Sequence, residues 1–164
     1  MTRGRWVRAA RGVLPAAAAL WAVLLVSAPW LGGPGAGLGV GARVAAATYL
    51  VGSLVCHQRP LRSFHLAGAQ LPVCGRCTGL YVSAGAGATA AWIAGRRRRR
   101  RWSGARWARW RVWLIGSALP TLASVGGEAA GWWAGSNAGR AAAGIPLGFA
   151  VGVLLAEFRS FEVD

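Results

Sequence analysis

The sequence predicts an all-α fold, a polytopic membrane helix bundle with about four spans that forms a single integral membrane domain over residues 1–164. Three observations lead to this fold class. Hydrophobic residues make up 55% of the chain, and the mean hydropathy is +0.41. The 19 basic residues are all arginines, and most lie in two clusters between apolar runs. Every cysteine and histidine falls within residues 56–77.

Four apolar runs are long enough to cross a bilayer, for which about 20 residues are needed. They are residues 13–31, 72–94, 112–133 and 141–158. The first run follows a basic start, as in a signal peptide, but about 19 apolar residues are long for the apolar part of one. We therefore expect an uncleaved anchor. Pro120 and several glycines interrupt the third run, and membrane helices tolerate both.

Residues 39–55 form a fifth apolar run, which contains Arg43 and leads directly into the cysteines. If this run lies on the surface, two spans separate the arginine clusters, and both clusters stay in the cytoplasm. That arrangement places 14 arginines inside and five outside, in agreement with the positive-inside rule. The sequence thus predicts a surface helix over 39–55, an extracytoplasmic loop over 56–77 and two cytoplasmic termini, in a multi-pass protein of the inner or plasma membrane.

A net charge of +15 is also typical of proteins that bind nucleic acid. The apolar runs favour the lipid bilayer as the partner instead. Tryptophans flank the basic stretch Arg96–Arg111, as expected for a segment at headgroup level. We expect this stretch to be a cytoplasmic loop that interacts with anionic lipid headgroups.

The cysteines have the spacing of a metal site. Cys74 and Cys77 form a Cys-x-x-Cys pair, in which two thiolates can bind one ion, and Cys56 and His57 supply two further ligands. His65 is the alternative histidine, because adjacent residues such as Cys56 and His57 are awkward ligands for one ion. Three sulfurs and one nitrogen suit zinc, while copper(I) or iron also fit.

The residues around the cysteines are candidates for a second layer of contacts. Three thiolates and one imidazole would leave a divalent ion with a net charge of −1, and nearby arginines would balance that charge. The candidates are Gln58, Arg62, Ser63, Arg76 and Thr78. Ordinary structural roles fit some of them equally well: Ser63 as a helix cap, and Thr78 as a helix hydroxyl bonded to its own backbone.

Two other interpretations of the cysteines remain open. Cys74 and Cys77 at the start of a membrane helix could perform thiol–disulfide exchange, because helix N–H groups and Arg76 would lower a thiol pKa. Four spans with an outward Cys-x-x-Cys resemble the disulfide-generating quinone reductases, but three cysteines leave one unpaired. Alternatively, a disulfide from Cys56 to Cys74 or Cys77 could simply hold the outer loop in place.

The later spans contain few ionisable residues. Glu128 lies near the outer end of the third span and Arg140 at the start of the fourth, and intramembrane charges are usually paired. We therefore expect Glu128 to pair with Arg140, or else with Arg62 or Arg76. Paired carboxylates, a glycine-rich phosphate loop and a Ser/His/Asp set are all missing from the sequence, which favours a role other than that of an enzyme.

The segments Cys56-His57-Gln58, Arg62-Ser63-Phe64 and Cys74-x-Arg76-Cys77-Thr78-Gly79 together resemble an uncharacterised family of small bacterial and archaeal membrane proteins. The resemblance extends roughly over residues 49–148. The chain departs from the pattern at Ala69, where the family has a histidine, and at Ser124 and Glu128, where an acidic residue and a glutamine are expected. The resemblance implies that Cys56, His57, Cys74 and Cys77 are the shared cluster. Because the family is a domain of unknown function, it implies no activity.

Overall fold

The computed structural model describes residues 3–33, 37, 39–95 and 104–157 of the chain, with the backbone alone for 3–11 and 104–107. This part is mostly helical, which confirms the predominantly α character of the fold. The elements in chain order are α1 (Arg3–Leu31), α2 (Val40–Val55), a 3-10 turn (Pro60–Arg62), β1 (Ser63–Leu66), β2 (Ala69–Cys74), α3 (Gly75–Gly95), α4 (Gly104–Ala129) and α5 (Asn137–Glu157).

Helix α3 lies at the centre of the bundle and packs most extensively on α5. Glycines make this contact close: a Cβ on Gly75 would lie 2.7 Å from the Asn137 carbonyl oxygen, and one on Gly144 would lie 2.6 Å from that of Arg76. Further along, Gly152 lies against the Ala84 backbone. Residue numbers increase together in the two helices, so α3 and α5 are parallel. Small residues allow such close approach between membrane helices.

The neighbours of this pair run in the opposite direction. Trp21 in α1 forms an edge-to-face contact with Tyr81 in α3, at a ring-centroid distance of 6.1 Å, and a Cβ on the earlier residue Gly12 would lie 4.0 Å from Nε1 of the later residue Trp92. In α4, Thr121 Oγ1 donates a hydrogen bond of 2.7 Å to the Ala143 carbonyl of α5. The opposite ends of these two helices meet where Trp110 Nε1 donates to Glu157 Oε2 at 3.2 Å. Helices α1 and α4 are therefore antiparallel to the central pair.

A β-hairpin replaces part of the predicted loop, so the prediction of an all-α chain is wrong at residues 63–74. Strands β1 and β2 are antiparallel, and residues 67 and 68 connect them with φ values of +51° and +76°. Two consecutive positive φ angles are typical of a hairpin whose strands are connected by a two-residue turn. A register shift between Ser63 and His65 accommodates extra residues in β2. Pro72, which has no N–H to donate to the neighbouring strand, lies in this irregular part of β2.

Three predicted helix limits differ from the observed ones. The second apolar run was predicted to start at residue 72, but Pro72 and Cys74 belong to β2 and the helix starts at Gly75. The third was predicted over 112–133, whereas α4 begins at Gly104 and ends at Ala129, just before Gly131 with its positive φ of +72°. Helix α5 includes the predicted run from 141, but starts earlier, at Asn137. The arginine run 96–101 lies outside the described residues.

Two of the described helices are long and apolar enough to cross a membrane by length and composition, namely Gly12–Leu31 of α1 and Asn137–Glu157 of α5. Helix α3 has the length but is rich in Gly, Ala, Ser and Thr, and seven of its residues are buried. Because neighbouring helices cover it, α3 presents less surface to its surroundings than a peripheral helix. The outer faces of α1 and α4 instead expose large apolar side chains such as Leu20, Val23, Ile115 and Leu122.

Candidate metal centre

Three elements bring the cysteines together at one end of the bundle. Cys56 follows the last residue of α2, Cys74 ends β2, and Cys77 lies in the first turn of α3. All three are free thiols, and their Sγ atoms lie within 4.8 Å of one another. Tetrahedral zinc with metal–sulfur bonds of about 2.3 Å separates its sulfur ligands by about 3.8 Å. The three thiols therefore fit a single ion after a small contraction.

Hydrogen bonds from Gln58 fix the chain that leads away from Cys56. The Gln58 side-chain amide donates to the Tyr49 carbonyl at 2.9 Å and to the Pro72 carbonyl at 2.6 Å. Gln58 itself has a positive φ of +44°, an uncommon conformation for a residue other than glycine. These bonds tie α2 to β2, so Gln58 holds the two segments that carry Cys56 and Cys74.

A second amide completes this connection. Gln70 Nε2 donates to the Gln58 carbonyl at 2.6 Å and to Ser63 Oγ at 3.2 Å, while the Tyr49 hydroxyl donates to the Gln70 carbonyl. The Cys74 backbone N–H donates to Cys56 Sγ at 3.2 Å. The sequence did not identify Tyr49 or Gln70 as part of the site. The feature of the sequence that could have identified them is that both are polar residues in apolar surroundings.

Ser63 and Thr78 have structural roles. Ser63 is 1% exposed and its hydroxyl donates to the Arg59 carbonyl at 3.0 Å, while its own carbonyl accepts from Asn137 Nδ2 at 3.0 Å. The Thr78 hydroxyl donates to the Cys74 carbonyl at 3.1 Å. These bonds fasten the hairpin to the starts of α3 and α5. They give both hydroxyls partners away from the sulfur atoms.

The Cys74 thiol is more acidic than an ordinary cysteine thiol. The Cys77 thiol donates a hydrogen bond that lowers the pKa of the Cys74 thiol to about 5. Backbone N–H groups of Cys77 and Arg76 favour the Cys74 thiolate further, against the opposing effect of burial. In the metal-free protein Cys74 is therefore the preferred thiolate, and thiolates are the form of cysteine that binds metals and attacks electrophiles.

Neither histidine joins the three thiols directly. His57 and His65 are both exposed, and the cluster whose ligand atoms lie within 4.8 Å of one another contains only the three cysteines. His57 nevertheless lines the same cavity as the sulfurs, whereas His65, which pairs with Gln70 across the hairpin, is not among the residues that line it. Of the two histidines, His57 is the one beside the cluster.

The cysteines help to line a cavity of about 330 Å³. Four arginine side chains contribute to the lining, those of Arg59, Arg62, Arg76 and Arg140. None of the residues that line this cavity is acidic. The lining therefore places positive charge beside the thiols.

Two of these arginines belong to a buried ion-pair network. Arg140 Nε lies 3.0 Å from Glu128 Oε2, and Arg76 Nη2 lies 3.0 Å from Glu128 Oε1. Arg76 also donates to Ser124 Oγ at 2.9 Å, and Arg140 to Asn137 Oδ1 at 3.1 Å. The carboxylate is 8% exposed. Glu128 and Arg140 thus lie together as the sequence suggested, but Arg76 shares the carboxylate.

Residues 56–154 match the family described as predicted membrane protein (DUF2085). An uncharacterized protein of Methanocaldococcus jannaschii is 46% identical over 39 residues, which are 24% of this chain and 25% of that protein. An uncharacterized protein of Methanothermobacter thermautotrophicus is 50% identical over 30 residues, which are 18% of this chain and 27% of that protein. The aligned stretches thus span about a quarter of these relatives. No solved structure matches the chain.

Proposed function

The chain belongs to the DUF2085 family of predicted membrane proteins, and we propose that it holds one transition-metal ion at the outer surface of a four-span bundle. Cys56, Cys74 and Cys77 are the sulfur ligands, and His57 supplies the fourth. Zinc is the ion that this donor set favours. When bound, the ion would link α2, the hairpin and α3, and so stabilise the outer end of the bundle.

The observation that carries this proposal is the convergence of three free thiols from three separate elements. Hydrogen bonds of Gln58 and Gln70 hold the segments in place, in the way that outer contacts orient metal ligands. Arg76 and Arg140 provide positive charge beside the sulfurs. This charge offsets the net charge of −1 that three thiolates and one imidazole would leave on a divalent ion.

Helix directions support the four-span arrangement. Helices α1 and α4 are antiparallel to α3 and α5, so successive long helices alternate in direction, as spanning helices do. The connection between α3 and α4 then lies at the end of the bundle opposite the cysteines. Arginines of residues 96–111 would fall on that side together with the basic N-terminal segment, in agreement with a cytoplasmic location for both clusters.

Helix α2 is proposed as the surface helix. Its first residues pack near the end of α1, where Gly41 lies against Leu31. Its last turn precedes Cys56, whose Sγ atom lies within 4.8 Å of that of Cys77 in the first turn of α3. Both ends are therefore on the same side of the bundle. At 16 residues, the helix is about 24 Å long, which is shorter than the hydrocarbon core of about 30 Å.

Thiol–disulfide exchange is the second candidate function, because the pKa of Cys74 is about 5. In that case Cys74 and Cys77 would be oxidised to a disulfide, and two electrons and two protons would pass to a quinone or to the disulfide of a partner. Cys56 has no role in that reaction. Metal binding uses all three thiols, and for this reason we favour it.

Metal content of the purified full chain, measured together with free thiols, tests the proposal. We expect about one equivalent of zinc and three reduced thiols per chain. Cys56→Ser, Cys74→Ser and Cys77→Ser should each release the ion, whereas the matched control Ser53→Ala, in the exposed last turn of α2, should retain it.

The histidines provide a second comparison. His57→Ala should weaken metal retention and His65→Ala should leave it unchanged; the reverse result would assign the fourth ligand to His65. A Cys74–Cys77 disulfide that a quinone regenerates, in a protein free of metal, would establish the redox function instead. A permanent bridge from Cys56 to either cysteine would contradict both functions.

A further inference from the structure

We propose that the cavity beside the cysteines binds a phosphate group, held by arginine side chains next to the metal ion. This inference rests on the proposed metal site and adds a ligand to it. The phosphate could belong to a free anion or to a lipid headgroup, because the chemistry that recognises it is the same.

The cavity has suitable size and lining. Its volume of about 330 Å³ exceeds that of a phosphate group with several waters, since a liquid water occupies about 30 Å³. Arg59 and Arg62 line it and are exposed, so their guanidinium groups are accessible to a ligand. Guanidinium donors match the oxygens of phosphate in two-point hydrogen bonds.

The charge of the surroundings favours a dianion. The four lining arginines carry four positive charges. Glu128 cancels one of them through its ion pairs with Arg76 and Arg140, and a divalent ion held by three thiolates, with its charge of −1, would cancel another. Two positive charges then remain around the cavity, which match the charge of a phosphate dianion.

Two of the arginines are already fixed in position. Glu128 and Ser124 hold Arg76, while Glu128 and Asn137 hold Arg140. These bonds restrict the two side chains before any ligand arrives, which lowers the entropic cost of binding. A preorganised pair of arginines and two accessible guanidinium groups on the same lining form an arrangement suited to a multivalent oxyanion.

The N-termini of two helices add to the positive electrostatic potential at the cavity. Helices α3 and α5 are parallel, and both begin at the cavity end of the bundle, where Gly75 contacts the Asn137 backbone. Arg76 lies in the first turn of α3, and Arg140 in the first turn of α5. Two helix N-termini side by side present partial positive charge in the same direction, and this charge favours a bound anion.

Calorimetric titration of the zinc-loaded full chain in a non-ionic detergent tests the inference. Inorganic phosphate and short-chain dihexanoyl phosphatidate are the two probes, and zinc content is measured on every sample. We expect one site per chain, with affinity lowered at least about tenfold in the double variant Arg59→Gln/Arg62→Gln, because two charge-assisted contacts are lost. Arg43→Gln, an exposed arginine of α2 outside the cavity, is the matched control and should bind normally.

The two probes identify the source of the phosphate. Tighter binding of phosphatidate than of inorganic phosphate indicates a lipid headgroup, and equal or weaker binding indicates a free anion. A zinc-loaded protein that binds neither probe would overturn the inference and leave the metal site intact. An equal loss of affinity in Arg43→Gln would overturn it as well, since only general charge would then be involved. A chain that binds no zinc would overturn both the inference and the proposed function.

Discussion

Cys74 is the residue with the most distinctive chemistry in the described site. Because its thiol has a pKa of about 5, it is a thiolate above pH 5 and becomes protonated below that value. The ordinary cysteine pKa is about 8.5. In metal-free protein, alkylation of Cys74 by iodoacetamide should therefore be half-maximal near pH 5, measured by mass spectrometry of the modified peptide. Alkylation of N-acetylcysteine is the control, and a half-maximum for Cys74 at the pH of this control would contradict the assignment.

Glu128 is the residue on which the buried network depends. Its carboxylate contacts both Arg76 and Arg140 at 3.0 Å. Glu128→Gln keeps the shape but leaves two guanidinium groups without a counter-charge, so the free energy of unfolding in mixed micelles should fall by about 3–5 kcal/mol. Ser124→Ala removes one neutral acceptor of Arg76 and should cost about 1.5 kcal/mol. Equal losses in the two variants would show that the ion pairs contribute nothing beyond a hydrogen bond.

Sequence reasoning identified the three cysteines of the site but not the contacts that hold them. Their grouping within 22 residues was visible as a pattern, because a metal site requires several soft ligands. The meeting of Arg76 with Glu128 depends on residues 52 positions apart, and it follows from the packing of α3, α4 and α5. Gln58 and Ser63 were predicted to surround the ligands, and both donate hydrogen bonds to backbone carbonyls of neighbouring segments.

Among the secondary-structure elements, the helices were predicted from the apolar runs, whereas the short hairpin was not predicted. Long runs bounded by glycine and proline show where a helix is favoured, as in α1 and α2. The hairpin turn was missed because Ala67 stands where Asn or Asp usually signals such a turn, although its φ is +51°. The close approach of α3 and α5 also remained hidden, since glycine spacing alone does not identify the partner helix.

A substitution at Ala67 tests the conformation of the hairpin turn directly. An alanine in the left-handed region costs about 1 kcal/mol more than a glycine, so Ala67→Gly should raise the free energy of unfolding by about 0.5–1 kcal/mol. Ala47→Gly, in the middle of α2, should lower it by a similar amount. Both are measured in the same micelles, and a loss of stability in Ala67→Gly would contradict the observed turn.

A substitution at Gly79 tests the close contact between α3 and α5. A Cβ on Gly79 would overlap the backbone of Ala141, which cannot move aside like a flexible side chain. Gly79→Ala should therefore lower the free energy of unfolding by at least about 2 kcal/mol. Gly116→Ala in α4, where a Cβ would meet nothing within 4 Å, is the control and should raise it slightly through helix propensity. If both variants behaved alike, the two helices would not pack as closely as described.

The alternating helix directions place the cysteines and the start of α4 at opposite ends of the whole bundle. We expect the cysteine end to be extracytoplasmic. An impermeant thiol reagent applied to intact cells should label Ala36→Cys and leave Gly104→Cys unlabelled, with the unsubstituted chain as the baseline for the native cysteines. Labelling of Gly104→Cys in intact cells would reverse the orientation.

We propose that three thiolates hold one metal ion at the outer end of the bundle. X-ray absorption at the zinc edge of the purified full chain tests this most directly. We expect a shell of three sulfur atoms at about 2.3 Å and one nitrogen at about 2.0 Å. A shell of nitrogen and oxygen atoms alone, or a protein that carries no metal and has its cysteines in a disulfide, would contradict it.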